Sequence, residues 1–160
     1  MVSISVKIEG LERLQAGVAQ GPATLASETR TAMTAGSLLI EGTARSLVVK
    51  DTGRTAGSIT HAISGSGANL VSRIGPSVAW GIVIEKGRRP GATPPPVKAL
   101  APWARRHGIL DGALFQIARS IGRKGIKARP FMVPSLAQNR GKVITLFERI
   151  GLKVTSTMAG

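Results

Sequence analysis

The sequence predicts an α+β fold, with a small, mostly antiparallel sheet of about four strands packed on a long helix and shorter helices after it. Three observations carry this expectation. Val2, Ile4, Val6 and Ile8 alternate with polar residues; a long apolar stripe at helical spacing follows; and three short β-branched stretches punctuated by glycine fill residues 58–84. With 160 residues, 42% of them hydrophobic and 19% charged, the chain suffices for one core, so the expectation is a single domain over 1–160.

The first strand ends at Gly10, and a short helical segment from Leu11 to about Ala19 breaks at Gly21-Pro22. The long helix should run from about Ala23 to Leu47, where Leu25, Ala32, Met33, Gly36, Leu39, Ile40, Ala44 and Leu47 form one stripe. The stretch KDTGRT, 50–55, reads as a turn, because Asp and Gly favour the dihedrals of a tight reversal. Strands are then expected at Ser58–Ile63, Leu70–Ile74 and Ser77–Ile84, the last on the alternation of Val78, Trp80, Ile82 and Ile84.

Residues 86–96 read as a flexible, basic, proline-rich loop. A helix with Val97, Leu100, Ala101 and Ala104 on its stripe follows, flanked by Trp103, and Pro102 should kink or restart it. Leu110, Leu114, Ile117 and Ile121 mark a further short helix. A basic connection, GRKGIKARPFMVP at 122–134, leads to a last helix opened by Pro134 and carrying Leu136, Val143, Leu146 and Ile150. The tail from about 152 to 160 is expected to be disordered.

The net charge of +14 is lopsided: residues 1–80 hold seven Lys/Arg and five Asp/Glu, whereas residues 81–160 hold fifteen and three. Such asymmetry points to a polyanion facing the second half, nucleic acid above all, or else to a plainly solvated basic face. The candidates for phosphate contact are Arg88, Arg89, Lys98, Arg105, Arg106, Arg123, Lys124, Lys127 and Arg129. With three Phe, two Trp and no Tyr, the chain is poorly supplied for base stacking, so sequence-independent attraction is the form expected. Pro94-Pro95-Pro96 can be read as a polyproline II ligand or as a stiff spacer that begins a helix.

The chemistry of catalysis is thinly represented. Without cysteine there is no disulfide, thiolate zinc site or thiol nucleophile. His61 and His107 lack metal-ligand spacing, and Glu9, Glu12, Glu28, Glu41, Asp51, Glu85, Asp111 and Glu148 are scattered. GSGANL at 65–70 reads as a hairpin connection and not as a phosphate loop. The expectation is therefore of no enzyme, with no catalytic residue, cofactor or metal. No stretch of about 18 apolar residues offers a membrane span, and the opening MVSISVKIEG lacks the features of a secretory signal.

Three motifs occur in order: DTGRTAGSI at 51–59 after the long helix, AWGIVIEKGRR at 79–89, and ARPFMVPSL at 128–136 before the last helix. In this order the chain resembles the head–tail joining, or tail-completion, neck proteins of long-tailed siphovirus-like phages and prophages. The resemblance runs from about residue 4 to 150 and rests on Asp51, Thr52, Gly53, Arg54, Ser58, Glu85, Gly87, Arg129, Pro130 and Phe131. The chain departs from the family pattern in offering Trp80 as the aromatic near Glu85, where a tyrosine is usual, and in a longer proline-rich stretch at 90–102.

The resemblance implies a non-enzymatic ring, sixfold in expectation, between head connector and tail tube. Its implied partners are further copies of the chain, the connector or head-completion protein, the tail tube or tail terminator proteins, and double-stranded DNA held without sequence preference in the lumen. It implies a place in the virion neck after synthesis in the host bacterial cytoplasm. A free-standing, sequence-independent nucleic-acid-binding protein is the alternative. The DTGR motif itself admits two readings, a turn with Asp51 capping and Gly53 at positive φ, or an Arg54 that pairs across a subunit boundary.

Overall fold

Three strands, six α-helices and a short 3₁₀ turn make up the described part of a computed structural model, which covers residues 4–6, 22–66 and 69–158. The expected helix at Leu11–Ala19, the ends of the first strand, Glu9 and Glu12 lie outside the described residues. The chain divides into two compact units. One is drawn from Met1–Gly81 and Pro130–Gly160, the other is Ile82–Arg129.

The first unit is organised by helix α1, Pro22–Leu47, whose buried positions step along one face. Leu25, Thr29, Ala32, Met33, Gly36, Ser37, Ile40, Glu41 and Ala44 are buried, at the three- and four-residue spacing of a helix face. The stripe read from apolar residues alone is therefore slightly misplaced: Leu39 and Leu47 are exposed, and three polar residues take part in the core. Each of these polar side chains has a partner. Thr29 Oγ1 donates to Leu25 O at 2.7 Å, and Ser37 Oγ donates to Met33 O at 2.7 Å. Because that uses the one hydroxyl hydrogen of Ser37, the 2.6 Å contact with buried Ser72 is a bond donated by Ser72.

The sheet is built from β1, Ile4–Val6, β2, Ile59–Ser64, and β3, Val71–Pro76, in the order β1-β3-β2 and all antiparallel. Ile59 pairs with Pro76, His61 with Ile74 and Ile63 with Ser72, so these six share one face. Ile59, Ser72, Ile74 and Pro76 are buried, and α1 packs over β2 and β3. Along α1 lies α6, Met132–Met158, which forms the most extensive helix pairing of the unit. Gly36 permits this approach, since a Cβ there would stand 3.3 Å from Val143 Cγ2. Phe131, just before α6, and Met132, its first residue, are fully buried. Asn139 Nδ2 donates at 2.8 Å to Thr43 Oγ1 across the pair and at 2.8 Å to Ser135 O in its own helix.

The expected fourth strand does not form, and helices dominate the fold. Residues 77–79 make a turn, and Trp80–Lys86 is helix α3, with α2 the single turn Arg54–Gly57. A short run such as Val78–Ile84 satisfies a two-residue period by chance, and its placement is decided by packing. Here Gly81 presses its backbone against the ring of Pro76, where no side chain would fit, and Gly81 and Glu85, one helical turn apart, are the buried positions. Two smaller differences concern the last helix. It begins at Met132 instead of Pro134, and it continues to Met158 through the tail expected to be disordered.

Candidate functional site

The second unit, Ile82–Arg129, concentrates the charge: its 48 residues hold eleven Lys and Arg against Glu85 and Asp111, a net of +9. Helix α4, Val97–Arg106, packs on α5, Leu114–Lys124, with the 3₁₀ turn Asp111–Ala113 between them in the chain. The α4 helix continues through Pro102 without restarting, although proline removes one backbone donor there. Ala104 of α4 and Leu114, Ala118 and Gly122 of α5 are buried.

The proline-rich loop is tied down at the far end of α5. Arg88 and Ile126 exchange backbone hydrogen bonds of 2.8 and 2.9 Å, Gly91 N donates to Gly122 O at 2.8 Å, and Arg129 N donates to Ile84 O at 2.8 Å. Gly87, at φ 72°, closes α3 where a Cβ would meet Ile126 O at 2.5 Å and Ala128 N at 2.7 Å. Gly122 leaves room for Pro94, whose Cγ would lie 2.7 Å from a Cβ at that position. The loop thus serves as packing for the α5 terminus and leads into α4, which favours the stiff-spacer reading of the prolines.

These contacts sort the nine candidate cations. Arg88 is half-buried; its Nη2 donates to Thr93 O and its Nε is buried without a hydrogen-bond partner, so its guanidinium is engaged inside the loop. The other eight are exposed. Six of them, Arg89, Lys98, Arg123, Lys124, Lys127 and Arg129, belong to the end where loop, bridge and helix terminus meet. Among the described residues, no ion pair engages any of these six. Arg105 and Arg106 sit in the last turn of α4, at the opposite end of the hairpin. At 1.5 Å per residue, Lys98 and Arg106 are roughly 12 Å apart along the axis. The cations therefore form two groups, not one patch.

The motif residues have mainly local structural roles. Asp51 and Thr52 are exposed, and Gly53 adopts φ 74° just before α2, as the turn reading expects. Arg54 places its guanidinium 5.5 Å from the Trp80 ring centroid, and Trp80 Nε1 donates to Thr55 Oγ1 at 3.0 Å. Ser58 Oγ donates to Thr55 O at 2.8 Å, closing the turn into β2. Glu85 is buried, two residues before Gly87. Arg129 and Pro130 are exposed, and Phe131 is a core residue.

One cluster escaped the sequence reading. Buried Glu41 on α1 accepts from Arg45 Nη2 through Oε1, and its Oε2 lies 2.6 Å from His61 Nδ1 on β2. Arg45 Nη2 also donates to Ile59 O at 2.8 Å. With the carboxylate ionised, the hydrogen sits on Nδ1 of His61. The i, i+4 spacing of Glu41 and Arg45 is visible in sequence, whereas the meeting with His61 depends on the sheet. The cluster clamps helix to strand. In the same core, the gap lined by residues such as Met33, Ser37, Ile74 and Phe147 measures only ≈ 10 Å³, far below a small-molecule site. Among the described residues, no group of three or more His, Cys, Asp or Glu gathers as metal ligands, and no helix is long and apolar enough to cross a membrane.

Compared with protein-family models, curated proteins and solved structures, the chain matches none.

Proposed function

We propose that the chain is a structural neck protein of a long-tailed, siphovirus-like phage or prophage, a tail-completion or head–tail joining component. In this reading it forms a ring, sixfold in expectation, between head connector and tail tube, with duplex DNA passing through without base recognition. The connector or head-completion protein and the tail tube or terminator are its neighbours. It works in the virion after synthesis in the bacterial cytoplasm, and no enzymatic step is assigned to it.

The observation that carries the proposal is the unit Ile82–Arg129, with a net charge of +9 and six exposed cations at one end of a small scaffold. Exposed cations attract the phosphate backbone without reading sequence, and they do so in a salt-dependent manner. Support also comes from the order of the three motifs and from the structural work of Gly53, Gly87 and Phe131, which gives each motif a folding reason to exist.

The same cations suit the second reading, a free-standing nucleic-acid-binding protein, and native mass spectrometry with electron microscopy separates the two. Closed rings, alone or on isolated tail tubes, are expected of a neck protein. A chain that stays monomeric, binds duplex DNA tightly and never docks on tubes belongs to the second class.

A further inference from the structure

The tip of the α4–α5 hairpin adds exposed apolar side chains to the cations of its unit. Leu110 is 81% exposed and Phe115 66% exposed, with Trp103 at 37% one turn before the end of α4. Arg105 and Arg106 are exposed in the last turn of the same helix. Aromatic and aliphatic side chains beside arginines at one end of the hairpin match the composition that interfaces favour.

The tip is also held in one conformation. Ile109 N donates to Ala104 O at 2.9 Å and Gly108 N to Arg105 O at 3.3 Å, with Gly108 at φ 67°, which is the Schellman closure of a helix. Ala113 N then donates to Leu110 O at 3.0 Å, fixing the 3₁₀ turn. The Trp103 and His107 rings pack with centroids 5.1 Å apart at a tilt of 39°, and Arg106 Nη1 donates to Pro102 O at 2.8 Å. Backbone order of this kind lowers the entropy cost of binding.

We infer that this tip is a docking knob for an acidic, apolar-faced segment of a different protein, such as a helix face of Leu-type side chains flanked by Glu or Asp. Trp and Arg are the residues that most often dominate interface energies, and Arg105 and Arg106 supply the charge that an acidic rim complements. A second copy of this chain is a poor occupant. It carries a net charge of +14, and of its eight acids Glu41 and Glu85 are buried. A nucleic-acid strand fits less well, because it brings no aliphatic side chains to cover Leu110, and anionic lipid is the competing occupant that the test includes. Stacking of bases is further limited because the Trp103 ring already packs against His107. The contact is small and belongs to the transient class of interfaces. The inference does not depend on the phage reading.

The test uses the full chain, ¹⁵N-labelled, titrated with a helical Leu/Glu peptide of about fifteen residues. Parallel titrations use the Leu/Lys counterpart, oligo-dT of about twenty nucleotides, and phosphatidylglycerol vesicles. The knob predicts shifts confined to the Trp103 indole and residues 105–115 with the acidic peptide. It also predicts affinity about tenfold weaker in Leu110→Ala/Phe115→Ala and in Arg105→Glu/Arg106→Glu. These positions are exposed, and unchanged far-UV circular dichroism checks that the fold is retained. Absence of binding, equal binding of the Leu/Lys peptide, or shifts at the tip produced instead by oligo-dT or vesicles overturns the inference.

Discussion

Replacing Gly87 by alanine should open the second unit at the base of its proline-rich loop. Gly87 sits at φ 72°, where an L-residue costs about 1–2 kcal/mol. The new Cβ would also stand 2.5 Å from Ile126 O, so the strand-like segment must retreat by about 0.5 Å to reach even a tight contact. That segment is held by the reciprocal Arg88–Ile126 bonds of 2.8 and 2.9 Å, and losing both adds about 1 kcal/mol each. Alanine restricts the unfolded chain and returns about 0.5–1 kcal/mol. The net is a loss of roughly 3 kcal/mol, about two decades in an opening equilibrium.

Native-state hydrogen exchange at the Arg88 and Ile126 amides, with urea unfolding alongside, reads this directly. Gly108→Ala is the internal control, because Gly108 has φ 67° but nothing within 4 Å of the added methyl, leaving backbone strain alone at about 1 kcal/mol net. Equal effects of the two substitutions, or undiminished protection of Ile126 in Gly87→Ala, would refute the steric reasoning.

Three further outcomes are expected. Phe131→Ala removes a fully buried ring and should lower stability by about 3–5 kcal/mol, read as a lower denaturation midpoint at unchanged m-value. Asn139→Ala removes two hydrogen bonds, one to Thr43 Oγ1 across the α1–α6 pair and one to Ser135 O, and should cost about 1–3 kcal/mol in urea unfolding, whereas Arg140→Ala, one position on and exposed, should stay within about 0.5 kcal/mol of the parent chain. Neutralising Arg123, Lys124 and Lys127 together should weaken duplex binding uniformly across sequences and flatten the salt dependence by roughly 2–3 in log–log slope, without changing the melting temperature.

The parts of the fold visible in sequence are those where apolar spacing and burial coincide. Helix α1, β2 and β3 fall close to the expected positions because Leu25, Met33, Ile40, Ile59 and Ile74 obey their periods and are buried. What spacing of apolar residues misses is the polar part of the core. Ser37 meets Ser72, Glu41 meets His61 and Asn139 meets Thr43, and none of these pairs is close in sequence. The strand expected at Ser77–Ile84 fails for a similar reason, since the contact of Gly81 with Pro76 outweighs the β propensity of Ile82, Val83 and Ile84. The basic site is legible in sequence as a set of residues but not as an arrangement. Only the hairpin of α4 and α5 separates Arg105 and Arg106 from the other exposed cations, and only the loop contact to Thr93 takes Arg88 out of the set.

A cryo-electron microscopy map of a virion carrying this chain decides whether it is a neck protein whose basic unit faces DNA. If it is, a ring of copies lies between connector and tail tube, with residues 82–129 at the lumen and Arg123, Lys124 and Lys127 within reach of the DNA backbone. A neck without this chain, or a ring whose lumen is lined by the first unit with those three cations on the outside, would contradict it.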